Sequence, residues 1–284
     1  MLSSEERNSK IETEEINNTQ LLSVAREAAL AAGEQVKMMF SGPRQVTSKG
    51  FRDVVTDADL AGQGIITDRI RQAFPDHGFL TEEEDSDLPT EGPILWIIDP
   101  IDGTINYSRN LPLYCVSVAA VRNNSPLTID DVLVGVVYDP MLDEMFTATA
   151  GGPALLEAKG LHGRLLQTSN VDQLQDALLS MDWPIDSDLR QKMMEVTNTF
   201  GHEVNVFRSF GSATLAMAWV AAGRLDGYLN YQFKAWDVAA AGLLVKQAGG
   251  VVCDIDGQPM ELVASNMSGL LTNGHLAQYL SLEK

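Results

Sequence analysis

The chain has 284 residues, 45% of them apolar, which is enough to bury the core of one large domain or of two halves sharing an interface. The 20 Lys and Arg residues against 39 Asp and Glu leave a formal charge of −19, which argues against nucleic acid and against an anionic membrane surface as partners. No apolar run reaches the roughly 18 residues of a spanning helix, and the N-terminus has no basic flank before an apolar stretch, so a cytoplasmic location is expected.

Residues 1–17 are polar and predict a mobile tail or a weakly docked arm. From Asn18, Leu21, Leu22, Ala25, Ala29, Ala32, Val36 and Phe40 recur at helical spacing behind an Asn/Thr cap. A loop or short hairpin follows over 41–53. A second helix then runs to Phe74, capped by Asp57 or Asp59, and its Gly62 and Gly64 predict close packing against a neighbour. Next come short β-rich runs, "FLTEEE", "ILWIID", "YCVSVAAVRN", "VLVGVVYDP" and "EMFTATAG", whose spacing predicts a largely antiparallel sheet covered on one face by the first two helices. Beyond about Leu165 strands alternate with helices, as in an α/β half with mixed or parallel strands. The expected organisation is therefore a tail at 1–17, an α+β half at 18–165 and an α/β half at 166–284, with a ligand at the junction of the halves. Cys115 and Cys253 lie in apolar, strand-like runs without metal-ligand spacing and read as small buried hydrophobes.

Carboxylates gather at element ends in four places: Asp57 and Asp59 before a helix, Glu82, Glu83 and Glu84 after a strand, Asp99 and Asp102 after an apolar run, and Asp237 opening a helix. Taken singly, Asp59 and Asp237 also read as helix caps, the glutamates as a solvated loop, and "DPIDG" as a turn. The pair Asp99 and Asp102 says more. With Pro100 stiffening the chain and the Ile101 carbonyl left without a ladder partner, two carboxylates and a carbonyl can form the hard oxygen cage that Mg²⁺ prefers. Carboxylates this close repel unless a proton or a divalent ion neutralises them. Behind them Gly103 lets backbone N–H groups approach an anion and Thr104 adds a hydroxyl, a layout suited to phosphate-ester hydrolysis.

These residues resemble the inositol monophosphatase-like, Mg²⁺-dependent, lithium-sensitive phosphatases. The motif D-P-[IL]-D-G-T-x-N-[FY] stands as Asp99 to Tyr107, and W-D-x-A-A-G appears from Trp236-Asp237 to Gly242, one residue longer, followed by Ala248-Gly249-Gly250. Val55-Thr56-Asp57-Ala58-Asp59 matches V-T-x-x-D, and Thr81-Glu82-Glu83 stands for G-E-E. The resemblance covers Leu21 to the C-terminus. It implies a layered αβαβα sandwich of the sugar-phosphatase type, antiparallel-rich in the N-terminal half and mixed α/β in the C-terminal half.

It also implies two or three Mg²⁺ per site, with Mn²⁺ as a substitute. Glu82, Asp99 and the Ile101 carbonyl would hold the first, Asp99, Asp102 and Asp237 the second, and Glu82 with water a weaker third. Glu82, Thr104 and, behind the ligands, Asp59 would serve catalysis, with water oriented by Thr104 and Glu82 as the nucleophile. Gly103, Thr104, Ser212, Ala213 and Asn230 would meet the substrate. Asn230 stands six residues before Trp236, where many inositol-specific members carry a glutamate, and "GGPALLEAKG" departs from the family's usual turn. The implied reaction is inositol monophosphate hydrolysis, with fructose 1,6-bisphosphate, histidinol phosphate and nucleotide 3′(2′),5′-bisphosphates as alternatives. Lys49, Arg208 and Lys234 are the cations considered for a second phosphate. The expected partners are a small phosphate ester and a second copy of the chain.

Overall fold

Residues 17–51 and 53–280 are described by the computed structural model, so the expectation for the N-terminal tail lies outside the described residues except at its last position. The first helix, α1 (Asn18–Phe40), is capped by Asn17, whose side chain accepts the N–H groups of Thr19 and Gln20. A hairpin of β1 (Val46–Gly50) and β2 (Asp53–Thr56) leads into α2 (Asp57–Ala73). The N-cap of α2 is Thr56 rather than Asp57 or Asp59; Asp59 sits at the third helical position and reaches back to the Thr56 N–H in a capping box. Of the two α2 glycines, only Gly62 is needed for packing, because a Cβ there would lie 3.3 Å from both Pro100 and Val36. Gly64 faces open space.

Seven strands form the first sheet, in the spatial order β3 (Gly78–Thr81), β4 (Ile94–Asp102), β5 (Cys115–Arg122), β6 (Val132–Asp139), β7 (Glu144–Thr149), β8 (Ala154–Ala158) and β9 (Leu161–Leu165). All neighbours are antiparallel except β3 and β4. The connection over 82–93 is long enough to cross over the sheet, so β3 enters parallel and its end at Thr81 lies beside the end of β4.

Alternate residues of β4 belong to different layers, as the period of two requires. Trp96 and Ile98 pack with Leu21, Ala25, Ala29, Ile66 and Ile70 of α1 and α2, while Leu95 and Ile97 join a second core with the helices that follow. Those helices are α5 (Ala213–Ala221) and α6 (Ala235–Gln247), which come after the short α3 (Thr104–Ser108) and α4 (Ser187–Phe200). Alanine-rich α6 sits so close to the first sheet that a Cβ on Gly135 of β6 would lie 2.6 Å from the Ala240 carbonyl oxygen. The second sheet runs β11 (Val206–Arg208), β10 (Leu178–Met181), β12 (Gly227–Phe233), β14 (Met267–Thr272), β13 (Val251–Asp254). Pairs of β10 are parallel and pairs of β14 antiparallel, the mixed arrangement expected. On its outer face Met193 and Val196 of α4 and Leu280 of α7 (Ala277–Leu280) cover Leu179, Leu229 and Leu270.

The result is a five-layer αβαβα sandwich with α5 and α6 as the middle layer. Cys115 is fully buried and Cys253 partly so, neither in a disulfide. No described helix is long and apolar enough to cross a membrane.

Candidate active site

Asp99 and Asp102 are three residues apart, and in a regular strand that spacing would send them to opposite faces. Instead of the expected turn, β4 carries a β-bulge: Asp99 pairs with Ser117 and Asp102 with Cys115, three steps on one strand against two on the other. Pro100, which has no N–H to lose, occupies the irregular stretch. The bulge brings both carboxylates to one side. Asp237, at the third position of α6, joins them, and each of the three offers an oxygen within 4.8 Å of the others. From the neighbouring strand end, Glu82 hydrogen-bonds Asp99, and its own N–H donates to the Ile98 carbonyl at 3.1 Å.

Each carboxylate is aimed by donors from the chain. Asp99 Oδ1 accepts the Ile101 N–H at 2.9 Å, Asp102 Oδ2 accepts the Ser212 hydroxyl at 2.5 Å and the Thr214 N–H at 2.8 Å, and Asp237 Oδ2 accepts the Lys234 N–H at 2.7 Å. Asp237 is not itself the N-cap, which is Lys234; from the third helical position it closes a capping box through one oxygen while standing in the carboxylate cluster. Asp59 differs. Its Oδ2 accepts the Thr56 N–H and hydroxyl, and its Oδ1 faces the Thr104 hydroxyl at 3.1 Å, so it lies behind Thr104 rather than in the cage. Thr104 Oγ1 is also 3.0 Å from the Ile101 carbonyl oxygen.

Burial and mutual repulsion push these acids up. Glu82 rises to about 8, chiefly by desolvation and against the pull of Lys49. Asp99 rises well above the usual carboxylate range through burial and the charges of Glu82, Asp102 and Asp237. Burial lifts Asp237 to about 7, with Asp102 adding repulsion. Asp102 reaches only about 6, because Ser212 and Thr214 oppose its desolvation, and Asp59 likewise reaches about 6 against its Thr56 bonds. A hydrogen bond between the Glu82 and Asp99 carboxyls needs a proton between them, so without a cation the cage holds protons. Four crowded carboxylates with a backbone carbonyl at their edge are the donor set of a hard divalent cation, and Mg²⁺ fits it.

The cage opens into a cleft of about 370 Å³ between the two sheets, lined among others by Ile101, Gly103, Thr104 and Asn106 from the first half and by Asp182, Trp183, Arg190, Ser209 and Gly211 from the second. Asn106 ties the halves together, its amide donating to the carbonyls of Leu113 (2.8 Å) and Phe210 (2.7 Å). Gly103 has φ +101°, and a Cβ there would meet the Leu113 carbonyl oxygen at 2.9 Å. Gly103→Ala is expected to destabilise the protein by about 1–3 kcal/mol in thermal or denaturant unfolding, whereas Gly64→Ala, in an open helical position, should stabilise it by about 0.5–1 kcal/mol. A larger cavity of about 640 Å³ lies between α1 and the β7–β9 edge, but it contains none of the residues above.

Several expected substrate contacts lie elsewhere. Asn230 is buried, with its amide on the Tyr228 hydroxyl and its oxygen on the Gln232 N–H, and it does not line the cleft. Ser212 stands behind Asp102, and neither it nor Ala213 is in the lining. Lys49 pairs with Glu83 at 2.6 Å and stands 3.9 Å from Glu82 at the edge of the cage, but neither it nor Arg208 nor Lys234 lines the cleft; among the described residues the lining cation is Arg190. Trp183 adds an aromatic ring to the lining. Asp182 follows directly on the end of β10, so a search for carboxylates at strand ends could have found it too.

Fold and site define a layered α/β protein with a buried carboxylate cage, able to hold a metal ion, at the junction of its two sheets. The family model described as "Inositol monophosphatase family" matches residues 17–282. Curated relatives include the Nus factor SuhB of Salmonella typhimurium, 36% identical over 253 residues (87% of this chain, 90% of that protein), and inositol monophosphatase 3 of Solanum lycopersicum, 36% identical over 270 residues (90% and 93%). Among solved structures, the extragenic suppressor protein suhB of Bartonella henselae superposes with a TM-score of 0.82 at 30% identity (92% and 96% covered). An IMPase of Thermotoga maritima gives 0.79 at 30% (93% and 96%). The chain belongs to the inositol monophosphatase family.

Proposed function

We propose that the protein is a Mg²⁺-dependent phosphomonoesterase of small sugar or cyclitol phosphates, with an inositol monophosphate as the leading substrate and the bisphosphate or amino-alcohol esters as alternatives in the same cleft. One observation carries this reading: Glu82, Asp99, Asp102 and Asp237 converge beside a Thr104 hydroxyl backed by Asp59. Glu82, Asp99 and the Ile101 carbonyl would hold one cation, and Asp99, Asp102 and Asp237 another. Bound Mg²⁺ supplies Lewis acidity toward the phosphoryl oxygens, the attacking water and the leaving alkoxide.

The chain's own groups do the rest. Thr104 Oγ1, giving its proton to Asp59, presents a lone pair that orients a water molecule. Glu82, whose carboxyl burial pushes up to about 8, would receive a proton from that water. Gly103 keeps the backbone of the following turn accessible to the ester. The rigid strand ends hold these oxygens in place before substrate arrives, which is where much of the rate is gained.

Relatives named Nus factor raise a second class of role, binding a partner without turnover. The complete cage, with Thr104 in register, supports hydrolysis instead. Phosphate release from inositol 1-phosphate, fructose 1,6-bisphosphate, histidinol phosphate and adenosine 3′,5′-bisphosphate is expected to require Mg²⁺, to stop with EDTA and to return with Mg²⁺ or Mn²⁺. Absence of release from all four with either cation would count against the proposal.

A further inference from the structure

A carboxylate that the cage does not use stands in the same cleft. Asp182 follows directly on β10 and lines the cleft together with Trp183 and Ile185. Its Oδ1 accepts the Ser209 hydroxyl and the Gly211 N–H, both at 2.8 Å, and its Oδ2 faces the Tyr228 hydroxyl at 3.3 Å. Tyr228 in turn accepts a hydrogen bond from the Asn230 amide at 3.1 Å. Tyr228 and Asn230 are both buried and outside the lining, so Asp182 is the member of this chain of contacts that reaches the ligand space.

We propose that Asp182 accepts hydrogen bonds from hydroxyl groups on the alcohol portion of the substrate, and that Asn230 acts on specificity only through Tyr228, as a positioning residue for that carboxylate. The inference rests on the phosphomonoesterase reading and deepens it. A carboxylate offers about four acceptor directions, and the donors from Ser209, Gly211, Phe210 and Tyr228 hold Asp182 in place, the Tyr228 contact at 3.3 Å being the long one that a substrate hydroxyl can replace. Asp182 shares the cleft lining with Asp102 and Asp237, so an ester held at the cage has Asp182 in the same space as its alcohol portion.

The neighbours select neutral hydroxyls over an ammonium. Arg190 lines the same cleft, its guanidinium over the Trp183 ring at 5.7 Å and its Nε donating to the Pro184 carbonyl at 2.9 Å. A cationic substrate group in this cleft shares it with that guanidinium and is disfavoured by like charge, a penalty that neutral hydroxyls do not carry. The Trp183 ring, 39% exposed, and Ile185 offer apolar surface to the C–H face of the same skeleton. A fixed carboxylate beside an exposed indole suits a polyhydroxylated ring, and a site built around hydroxyl contacts discriminates strongly against analogues that lack them.

Initial rates with Mg²⁺ on inositol 1-phosphate, phenyl phosphate and histidinol phosphate, for the wild type, Asp182→Asn, Tyr228→Phe and Asn230→Ala, test this. Asp182→Asn should lower kcat/KM on inositol 1-phosphate about tenfold or more beyond its effect on phenyl phosphate, mainly through KM. Tyr228→Phe and Asn230→Ala should move the same ratio in the same direction by less. An equal loss on the two esters would overturn the proposal, and so would a selective loss on histidinol phosphate, which would make Asp182 a partner for a cation. If the wild type turns over none of the esters, the phosphomonoesterase reading fails on its own. Calorimetric binding of inositol 1-phosphate to the wild type and Asp182→Asn then still decides the role of Asp182, equal affinities overturning it.

Discussion

Asp102→Asn is expected to lower Mg²⁺-dependent phosphate release by about 10³-fold, the several kcal/mol that a lost catalytic cation removes from the transition state. The same substitution should raise the melting temperature of the metal-free protein at pH 8 by a few degrees. Both effects follow from the hydrogen bonds on Oδ2. Because the Ser212 hydroxyl and the Thr214 N–H both donate there, an asparagine must present its amide oxygen to them. Its NH₂ is then turned to the other side, that of the cage, where it repels a cation. The backbone and core around it are unchanged, and one buried negative charge is gone from a cluster whose members repel one another. Phosphate release and thermal unfolding in EDTA check the two halves separately. A variant as active as the wild type would dismiss Asp102 as a ligand, and one equally inactive but less stable without metal would mean the carboxylate holds the fold.

How much of this could be read from the residues is uneven, and the reasons are physical. The cage was legible because Asp99 to Tyr107 is a local motif whose chemistry depends on spacing. Its geometry was not, since a bulge and a turn use the same Pro and Gly vocabulary and only the pairing of Asp99 with Ser117 and Asp102 with Cys115 separates them. Asp237 reads as either a helix cap or a ligand, and the sequence does not show that the cap position falls on Lys234 while Asp237, three residues on, reaches back to its N–H from within the carboxylate cluster. The period of each run identifies the elements, whereas the layer order rests on the family resemblance and the parallel entry of β3 depends on a connection with no pattern of its own.

The alcohol end of the cleft was the least legible. Asn230 was located by counting back from Trp236, and the count found the right strand but the wrong side chain to meet a ligand. Contacts to Tyr228 and Gln232 turn its amide inward, and such contacts are tertiary. Ser212 fails as a direct contact for the opposite reason: it is at the site, but its hydroxyl is committed to Asp102.

Metal-free protein is expected to lose stability as pH rises from about 4 to about 8, and Mg²⁺ to restore it most at the top of that range. In the folded chain Asp102, Asp237 and Glu82 hold protons up to about 6, about 7 and about 8, and Asp99 is raised well above its ordinary value by burial and its neighbours. In the unfolded chain the same groups release them near their ordinary values of 3.8 and 4.5. Between those limits the native state binds more protons than the unfolded state, so the slope of unfolding free energy against pH is negative. The contribution is fully favourable below the unfolded values and is lost as pH climbs through the folded ones. A divalent cation takes over the neutralising task of the protons and must displace them to bind. Its apparent affinity should therefore increase from pH 6 to pH 8, with proton release on binding. Melting temperatures from pH 5.5 to 8, in EDTA and in Mg²⁺, are the measurement. Ionic strength must be matched with NaCl, because a chain of net charge −19 gains from any salt. A metal-free melting temperature that rises steadily over this range, or an increment from Mg²⁺ no larger at pH 8 than at pH 5.5, would show that the four carboxylates are not the cation site.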